Sequence, residues 1–530
     1  MGIDGHTERA AWFLTAAERG NPATRLDTRP DGIDRAWRDG NEARPLLHGA
    51  AYFRELYDRI EATGPCALIC FTDWQGDPDQ RLTDDPGSSV AETFGRAVER
   101  GVDMRALIWR SHSGALGYAT GKHRRLGDLL QRRGADVQLD MRVRPGGAHH
   151  QKFVVIRHAR DADRDIAFVG GIDLCHGRRD DAGHLGDPQA DALASEYGDR
   201  PPWHDVQVAL QGPVVHDVET VFRERWDDAT PLTRNPLRRL RDALRGLHRE
   251  RRPLPPQAPP PPPRPAGHRV QLLRTYPKLG LGWAYDFAPQ GERSVARGYA
   301  KAVRRTRSLI YVEDQFLWGR QMSEVLVDAL ESHPGLHLIG VLPQFPDQDG
   351  WFARDPQVLG RLRALRRVYA AAPDRVAFYG LENHAGTPVY VHAKVCVLDD
   401  WWASIGSDNF CRRPWTHDSE LSAVVIDPAG EGHSAYAREL RLALAAEHLD
   451  VEPGEVAVEA AAMFAQFARA AERLEAWHRD GRQGPRPAGR LRRLPAPSLP
   501  LFRQAFAAPW YRYLHDPDGR PAALRRHRTF

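Results

Sequence analysis

Two stretches of the chain share one pattern of polar and hydrophobic positions. In residues 150–171, His-x-Lys precedes the apolar run FVVI, and a second apolar run ends in Gly-Gly. In residues 392–407, His-x-Lys precedes the run VCVL, and the second apolar run ends in Gly-Ser. Short apolar runs bounded by polar turns predict buried strands. Two copies in matching surroundings indicate a duplicated half-site.

The repeat extends upstream of both stretches. The apolar segments 67–75 and 308–316 also predict buried strands, and each precedes its histidine by a matching distance. A helical pattern and another strand pattern follow each segment, an order that favours parallel pairing across a helix. We therefore predict an α/β fold of two duplicated α-β-α sandwich halves. Their sheets, mixed and largely parallel, should face each other and share one active site.

Proline content divides the chain near its middle. Nine of the thirteen residues 253–265 are proline, which predicts a stiff extended spacer. Before it lies an amphipathic basic helix, 234–252, whose leucines we expect to pack on the body, with contact to an anionic membrane as the alternative. The predicted units are a first half, a proline-rich linker, a second half, and a C-terminal helix with a basic tail: 1–252, 253–266, 267–452 and 453–530.

Within the C-terminal unit, two segments carry separate expectations. Arg, Pro and Gly dominate residues 481–500, which predicts a poorly ordered linker. Residues 501–514 are apolar and aromatic, and we expect them to dock on the body, with lipid contact as the alternative.

Composition and charge narrow the expected partners. Of 530 residues, 74 are Lys or Arg and 70 are Asp or Glu, so the formal charge is only +4 and a dedicated nucleic-acid binder is not expected. The five cysteines have no zinc-ligand spacing, which favours reduced thiols. Neither a secretory signal nor an apolar run of about 20 residues is evident. We expect a cytoplasmic monomer, with peripheral contact at a membrane surface left open.

Histidine and lysine in this arrangement suit chemistry at a phosphodiester. A neutral imidazole can attack phosphorus, and the transition state then needs fixed cations around its oxygens. On a strand, residues two positions apart share a face, which places Lys152 beside His150 and Lys394 beside His392. We therefore expect no metal and no cofactor. A metal held by His149, His150 and His392 is disfavoured because the lysines would repel a cation.

Polar groups after each motif are candidates for binding the oxygens of a phosphate. In the first half these are the backbone amides of Gly170 and Gly171. In the second half they are Ser407 and Asn409 of the GSDN segment. Asp173 occupies the position that Asn409 has in the other half, and either lines the pocket or forms a turn.

Each histidine also needs a carboxylate to fix its tautomer. Two candidates lie beyond the motifs, Asp205 in PWHDV and Glu420 in HDSEL. Both begin apolar runs, so both are expected at strand ends beside the site.

The two His-x-Lys segments, together with GGIDL, PWHDV, YVEDQF and GSDN, resemble the phospholipase D superfamily. DLCHGRRDD and IYVEDQFLWG resemble its eukaryote-like members. The resemblance covers most of the chain and implies a two-step reaction through a phosphohistidine, opened by water or another alcohol. It implies that His150 attacks and His392 protonates the leaving alcohol, with Asp205 orienting His150 and Glu420 orienting His392.

The first motif departs from the family pattern HxKxxxxD. The motif 392–399 ends in Asp399, which the resemblance includes among the substrate-binding residues, whereas the motif 150–157 ends in Arg157. An aspartate of the longer hairpin that follows is expected to substitute structurally, so activity should survive. The candidates are Asp161, Asp163 and Asp165.

Together these features predict a phosphodiesterase that hydrolyses the distal phosphodiester bond of phospholipids to phosphatidic acid and a free alcohol. Transphosphatidylation would accompany hydrolysis. Two alternatives keep the chemistry: a phospholipid synthase of the cardiolipin or phosphatidylserine type, and a nuclease of the same superfamily. A third alternative, a non-catalytic lipid-binding relative, rests on Arg157.

Overall fold

The computed structural model describes residues 11–27, 35–112, 120–244, 252–427, 434–527 and 529–530. The strands of the first half are β1 (Arg38–Leu47), β2 (Ala67–Asp73), β3 (Asp103–Trp109), β4 (Asp136–Asp140), β5 (Phe153–His158), β6 (Ile166–Gly170), β7 (Trp203–His204) and β8 (Val206–Gln211). Those that follow are β9 (His268–Tyr276), β10 (Glu292–Arg293), β11 (Leu309–Glu313), β12 (His337–Val341), β13 (Val376–Glu382), β14 (Pro388–Val391), β15 (Val395–Leu398), β16 (Trp402–Gly406), β17 (Glu420–Ile426) and β18 (Leu491–Arg493).

The helices lie between and after these strands. They are α1 (Ala16–Arg19), α2 (Gly49–Glu61), α3 (Val90–Glu99), α4 (Thr120–Arg132), α5 (Val214–Asp227), α6 (Pro236–Leu244), α7 (Ser294–Arg305), α8 (Arg320–Ser332), α9 (Trp351–Ala371), α10 (Arg412–Thr416), α11 (Ala435–Leu449), α12 (Ala460–Arg479), α13 (Leu501–Trp510) and α14 (Ala522–His527). A π-helical turn, Tyr511–His515, follows α13. Within the described residues, no helix combines the length and apolar character needed to cross a bilayer.

Strand order is the same in the two halves. The first half runs β4-β3-β2-β5-β6-β8-β1, and the second runs β13-β12-β11-β15-β16-β17-β9. In each half the first three strands are parallel because helices connect them, α3 and α4 in one half and α8 and α9 in the other. The His-x-Lys strands β5 and β15 instead return through hairpins, so the pairings around them are antiparallel.

The two strand sets join into one large mixed sheet. β1 pairs antiparallel with β9, with Arg38 opposite Val270 and Asn41 opposite His268. The predicted α/β class and mixed strand pairing are therefore confirmed, whereas the prediction of two separate, largely parallel sheets that face each other is wrong. Among the described strands, parallel pairing is confined to the strands linked by crossover helices and to the short β7–β14 pair.

Both faces of the sheet are buried, which explains the continuous apolar runs in the sequence. Alternate residues of β2 enter different clusters: Leu68 and Cys70 join a core shared by both halves, whereas Ile69 and Phe71 join a core of the first half. The shared core also takes in residues of α5, α11 and α12, together with strands of the second half. The halves are therefore packed on each other through apolar side chains.

Two segments differ from the sequence predictions. The leucines of α6 do not pack on the body: Leu237, Leu240 and Leu244 are exposed, and residues 245–251 lie outside the described part of the chain. Within 481–500, predicted to be poorly ordered, β18 pairs antiparallel with β13, and Leu491 is buried in the shared core. Burial of this one leucine and the strand pairing fix a segment whose composition alone suggested disorder.

The C-terminal segment 501–514 has two faces. Ala507 and Tyr511 pack beside Trp318 on the body. Around them lies a set of exposed apolar side chains, here called the apolar surface patch: Trp351, Phe352, Leu501, Phe502, Phe506, Trp510, Tyr513 and Leu514. Four of the aromatic rings contact one another, those of Trp351, Phe352, Phe506 and Trp510. The Trp351 and Phe506 centroids are 4.6 Å apart.

Arg157 is held by acidic side chains of the first half. Its guanidinium contacts Asp165 at 2.8 Å and Glu219 at 2.6 Å, and all three side chains are buried. Asp165 also accepts a hydrogen bond from the amide of His158 at 2.6 Å. Of the three hairpin aspartates considered above, Asp165 is thus the one that binds the strand beside the motif.

Restoring aspartate at this position should destabilise the protein rather than repair it. Arg157→Asp would place three carboxylates together in a buried site, and loss of one partner of a buried ion pair costs about 3–5 kcal/mol. We expect a clearly lower urea midpoint of unfolding. Arg160→Asp, an exposed change in the same hairpin, is the control and should leave the midpoint nearly unchanged. An unchanged midpoint for Arg157→Asp would contradict this account.

Candidate active site

Each His-x-Lys segment contacts a segment of the other half that carries a carboxylate. The amide of His150 donates to the carbonyl of Ser419 at 2.9 Å, immediately before β17. The amide of His392 donates to the carbonyl of His204 at 2.8 Å, at the end of β7. Each histidine of one half therefore lies against the carboxylate segment of the other half.

The side chains pair across the halves in the same way. His150 Nδ1 lies 3.0 Å from Oε2 of Glu420, and His392 Nδ1 lies 2.6 Å from Oδ2 of Asp205. The implied pairing of Asp205 with His150 and of Glu420 with His392 is therefore wrong. The cause is the pairing of β7 with β14, which sets Asp205 beside His392, and the matching bridge between His149 and Ser419.

Each lysine lies beside its histidine, but in the residues immediately before β5 and β15 and not on the strands themselves. Lys152 donates to the carbonyl of His150 at 2.9 Å, and its ammonium lies 5.6 Å from the centre of the Trp74 ring. Lys394 donates to Oε1 of Gln315 at 3.2 Å and to the carbonyl of His392. Both ammonium groups are buried, so together they concentrate positive charge at the site.

Burial shifts both members of the His150–Glu420 pair toward their uncharged forms. Burial, followed by the positive charges of Lys152 and Lys394, holds the pKa of His150 well below its ordinary value of 6.5. Burial raises the pKa of Glu420 well above its usual range. Oε2 of Glu420 accepts a hydrogen bond from Ser407 Oγ, whereas Oε1 is buried without a hydrogen-bond partner. Proton uptake on Oε1 would leave Oε2 free to accept from His150 as well.

The His392–Asp205 pair has a different charge balance. Burial alone would raise the pKa of Asp205, but His392 and Lys394 lower it to about 2. Burial and Lys394 lower the pKa of His392 to about 3, although Asp205 opposes them. Burial also lowers the pKa of Lys394, to about 8. The pKa of the carboxyl group beside His392 is thus lowered, whereas the pKa of the carboxyl group beside His150 is raised.

The residues predicted to bind phosphate oxygens have different environments. Asn409 donates to Oε1 of Gln315 at 3.3 Å, which sets it beside Lys394. Gly171 lies against Asp205, because a Cβ there would come within 2.8 Å of Oδ1. The amide of Gly170 is used inside the hairpin, where it donates to the carbonyl of Lys152 at 3.4 Å. The prediction of a free donor at Gly170 is therefore wrong.

The two aspartates among the predicted substrate-binding residues also have different environments. Asp173 is buried 3.6 Å from the Lys152 ammonium, and it accepts from the amide of Gln75. Burial would raise the pKa of Asp173, but Lys152 lowers it. Asp173 thus anchors a lysine of the site.

Asp399 lies away from the site, which corrects the prediction that it binds substrate. It follows β15, at the opposite end of that strand from His392. Its carboxylate accepts from the amides of Arg307, Ser308 and Leu309, at 2.6, 2.8 and 2.8 Å. Asp399 therefore fixes the turn after β15 to the start of β11.

Sequence reasoning missed two side chains of the site. Gln315 accepts from both Lys394 and Asn409 and donates to the Tyr390 hydroxyl at 2.7 Å. It belongs to the YVEDQF segment, but nothing in the spacing of that segment marks its glutamine as a site residue. Trp74 contacts the imidazole of His150 edge to face, with ring centroids 5.8 Å apart. Its position at the end of β2 was the available signal.

Three groups of side chains among the described residues could each hold a metal ion, because their ligand atoms lie within 4.8 Å of one another. One is His48, His184, His204 and Glu447, and a second shares His204 with Glu313 and His448. The third is Asp77, His176 and Asp191. The first group lies beside Asp205, because His48 Nδ1 is 3.2 Å from the Asp205 carbonyl oxygen. The second group shares His204, the residue before Asp205.

Comparisons with known sequences find matches to phospholipases D. The sequence profile described as Phospholipase D matches residues 68–326. Phospholipase D alpha 2 of Oryza sativa subsp. japonica is 24% identical over 74% of this chain and 62% of its own length. Phospholipase D alpha 1 of Vigna unguiculata is 25% identical over 60% and 51%. Phospholipase D1 of Schizosaccharomyces pombe is 27% identical over 58% and 27%. The chain thus matches less than two thirds of the length of each of these relatives.

A solved structure shares the fold. The phosphatidylserine synthase of Haemophilus influenzae Rd KW20 matches with a TM-score of 0.52, covering 89% of this chain and 94% of that one. At 12% identity this likeness concerns the fold alone. The sequence matches alone place the chain in the phospholipase D family, with distant homology to the plant and yeast phospholipases D.

Proposed function

We propose that the protein is a phosphodiesterase that hydrolyses the distal phosphodiester bond of phospholipids to phosphatidic acid and a free alcohol. The observation that carries the proposal is the crossed pairing, His150 with Glu420 and His392 with Asp205. It supplies two oriented imidazoles beside two buried lysines, which suits attack on phosphorus at one end and proton donation at the other.

In the first step, Nε2 of His150 attacks phosphorus. With Nδ1–H donated to Glu420, the lone pair of this ring lies on Nε2. Because the pKa of Glu420 is raised and that of Asp205 is lowered, Glu420 stabilises an imidazolium less than Asp205 does, so His150 suits the role of nucleophile better than that of acid. Lys152 and Lys394 stabilise the charge that develops on the non-bridging oxygens.

His392 supplies the proton that the leaving alcohol needs. Its Nδ1 is held by a carboxylate, which leaves Nε2 directed to the reacting group. The anionic diester offsets the two lysines and so favours the protonated ring when substrate is bound. The P–O bond to the alcohol breaks as the proton transfers, and the lipid phosphate remains on His150.

In the second step, His392 acts as a base toward water. It takes a proton from the water, whose oxygen attacks phosphorus and displaces Nε2 of His150. The products are phosphatidic acid and the free enzyme. An alcohol in place of water gives a transphosphatidylation product by the same path, so transfer accompanies hydrolysis.

The apolar surface patch supports a lipid substrate presented at an interface. Eight large apolar side chains are exposed in this patch. Its Leu514 end lies near the first motif, because Arg413 donates both to the Leu514 carbonyl at 3.0 Å and to the Gly146 carbonyl. The charge of Arg413 also contributes to the lowered pKa of His150. Exposed aromatic and aliphatic side chains grouped in this way are typical of membrane-contacting surfaces.

The division of roles predicts how activity depends on the leaving group. His392→Ala and Asp205→Asn should lower choline release from phosphatidylcholine by at least about 100-fold, because proton donation is lost. Both variants should still release a first burst of p-nitrophenol from a p-nitrophenyl phosphodiester, whose leaving group needs no proton, before the second step slows without its base. His150→Ala and Glu420→Ala should lose this burst as well as choline release, because the nucleophile or its orienting acceptor is gone. If Asp205→Asn behaved like His150→Ala, and Glu420→Ala like His392→Ala, the crossed pairing would not describe the working enzyme.

The buried lysine predicts a basic limit to activity. The pKa of Lys394 is about 8 in the folded protein, below its ordinary value, so its charge is lost as the pH rises through that value. We expect kcat/KM to fall above about pH 8, and Lys394→Arg to move this limb upward even if maximal activity drops. Lys301→Arg, at a lysine that contacts Glu18, is the control. A limb that stayed in place with arginine would rule out Lys394 as its source.

The apolar surface patch predicts membrane binding. Leu501→Asp combined with Phe502→Asp should weaken sedimentation with phosphatidylcholine vesicles at least about tenfold, because each large apolar side chain contributes about 1.5–3 kcal/mol when buried. Leu281→Asp changes an equally exposed leucine elsewhere and should have little effect. Activity on a short-chain monomeric lipid should be retained by the double variant. Equal vesicle binding by the double variant and the control would contradict a role for the patch.

A further inference from the structure

A cluster of three buried histidines and one glutamate lies between the two halves, separate from the two His-x-Lys motifs, Asp205 and Glu420. His48, His184 and His204 come from the first half, and Glu447 comes from α11 of the second. One ligand atom from each lies within 4.8 Å of every other. The three histidines are fully or almost fully buried. Four potential ligands of this kind match the set that zinc takes in proteins.

The hydrogen bonds around the cluster fix which nitrogen of each ring faces inward. Nδ1 of His48 lies 3.2 Å from the Asp205 carbonyl, and Nδ1 of His184 lies 3.2 Å from the Trp203 carbonyl. A carbonyl only accepts, so each Nδ1 carries the proton and each neutral ring presents the lone pair of Nε2 to the cluster.

The third ring is oriented by a carboxylate. Nε2 of His204 lies 2.5 Å from Oε2 of Glu313, a fully buried group that also accepts from His448 and the Tyr311 hydroxyl. The inward atom, Nδ1 of His204, is buried and has no hydrogen-bond partner. A ring whose outer nitrogen binds a carboxylate while its inner nitrogen is unpartnered has the outer-shell arrangement of a metal-bound histidine.

The carboxylate of Glu447 meets these inward nitrogens directly. Its oxygens lie 2.8 Å from His48 Nε2, 3.0 Å from His184 Nε2 and 3.6 Å from His204 Nδ1. Without a cation, the two shorter contacts oppose acceptor to acceptor unless a proton lies in each, and Glu447 can supply only one of the two. Two protonated rings would be cationic with centroids 4.8 Å apart in a buried place. Tetrahedral zinc bonds of about 2.0–2.2 Å place ligand atoms about 3.3–3.6 Å apart. The His204 contact already has that separation, and the His48 and His184 contacts would lengthen by a few tenths of an ångström.

We propose that His48, His184, His204 and Glu447 bind one structural zinc ion that links the two halves. Three imidazole nitrogens and one carboxylate oxygen complete a closed four-coordinate set, which suits zinc better than the oxygen-preferring calcium or magnesium. The ion would lie behind Asp205, because the His48 and His184 rings bind the carbonyls of residues 205 and 203. Metal binding there does not depend on the proposed phosphodiesterase activity.

The test is metal content and coordination in the full-length protein. After purification in metal-depleted buffer and addition of zinc, mass spectrometry of the metals should find one zinc per chain. Cobalt(II) in its place should give the intense visible absorption of a tetrahedral site. His184→Ala and Glu447→Gln should weaken metal binding beyond the roughly 10–100-fold that loss of an outer-shell partner costs. His478→Ala is the matched control, since His478 contacts buried Glu382 at 2.9 Å outside the cluster.

Wild-type protein alone also tests the proposal, so poor folding of a variant does not leave it open. A chelator should lower the thermal unfolding midpoint of the wild type, and zinc should restore it. The proposal is overturned if the wild type binds no metal, if His184→Ala and Glu447→Gln bind as much as the control, or if cobalt gives an octahedral spectrum. That spectrum would instead indicate the Asp77, His176 and Asp191 group.

Discussion

The site depends on hydrogen bonds that cross between the two halves. Each imidazole is oriented by a carboxylate of the other half, so neither half holds a complete His–carboxylate pair by itself. Backbone bonds from His150 to Ser419 and from His392 to His204 set these pairs in place. The duplicated strands, the shared core and the β1–β9 pairing hold these contacts between the two halves in place.

The two buried lysines place positive charge at this contact between the halves. Burial lowers the pKa of both histidines, and the lysines lower it further, Lys152 and Lys394 at His150 and Lys394 at His392, so the site favours an anion. The halves are not equivalent, because burial raises the pKa of Glu420 whereas His392 and Lys394 lower the pKa of Asp205. A fold built from two similar halves thereby supplies two different chemical roles.

Local pattern predicted much of this arrangement. The strands around both motifs, the crossover helices, the histidines, the lysines and both carboxylates could be named from the sequence, because each depends on short-range spacing. Which carboxylate reaches which histidine depends instead on how β7 pairs with β14, a contact nearly 190 positions apart along the chain. The same limit hid the join between β1 and β9, and the role of Gln315.

The histidine and glutamate cluster illustrates that limit most fully. Its members extend from His48 to Glu447 with no local ligand spacing, so only the folded chain brings them together. Asp399 shows the converse case, since a residue at a motif position lies at the far end of its strand and fixes a turn. Position in a motif and proximity to the site are separate properties.

The covalent intermediate tests the central claim most directly. Asp205→Asn should be mixed with a p-nitrophenyl ester of phosphatidic acid, quenched in base to preserve phosphohistidine, digested and analysed by mass spectrometry. Because the first step needs no proton and the second lacks an oriented base, the phosphatidyl group should accumulate on His150. Label on His392, or no labelled histidine in a variant that still releases nitrophenol, would contradict the account.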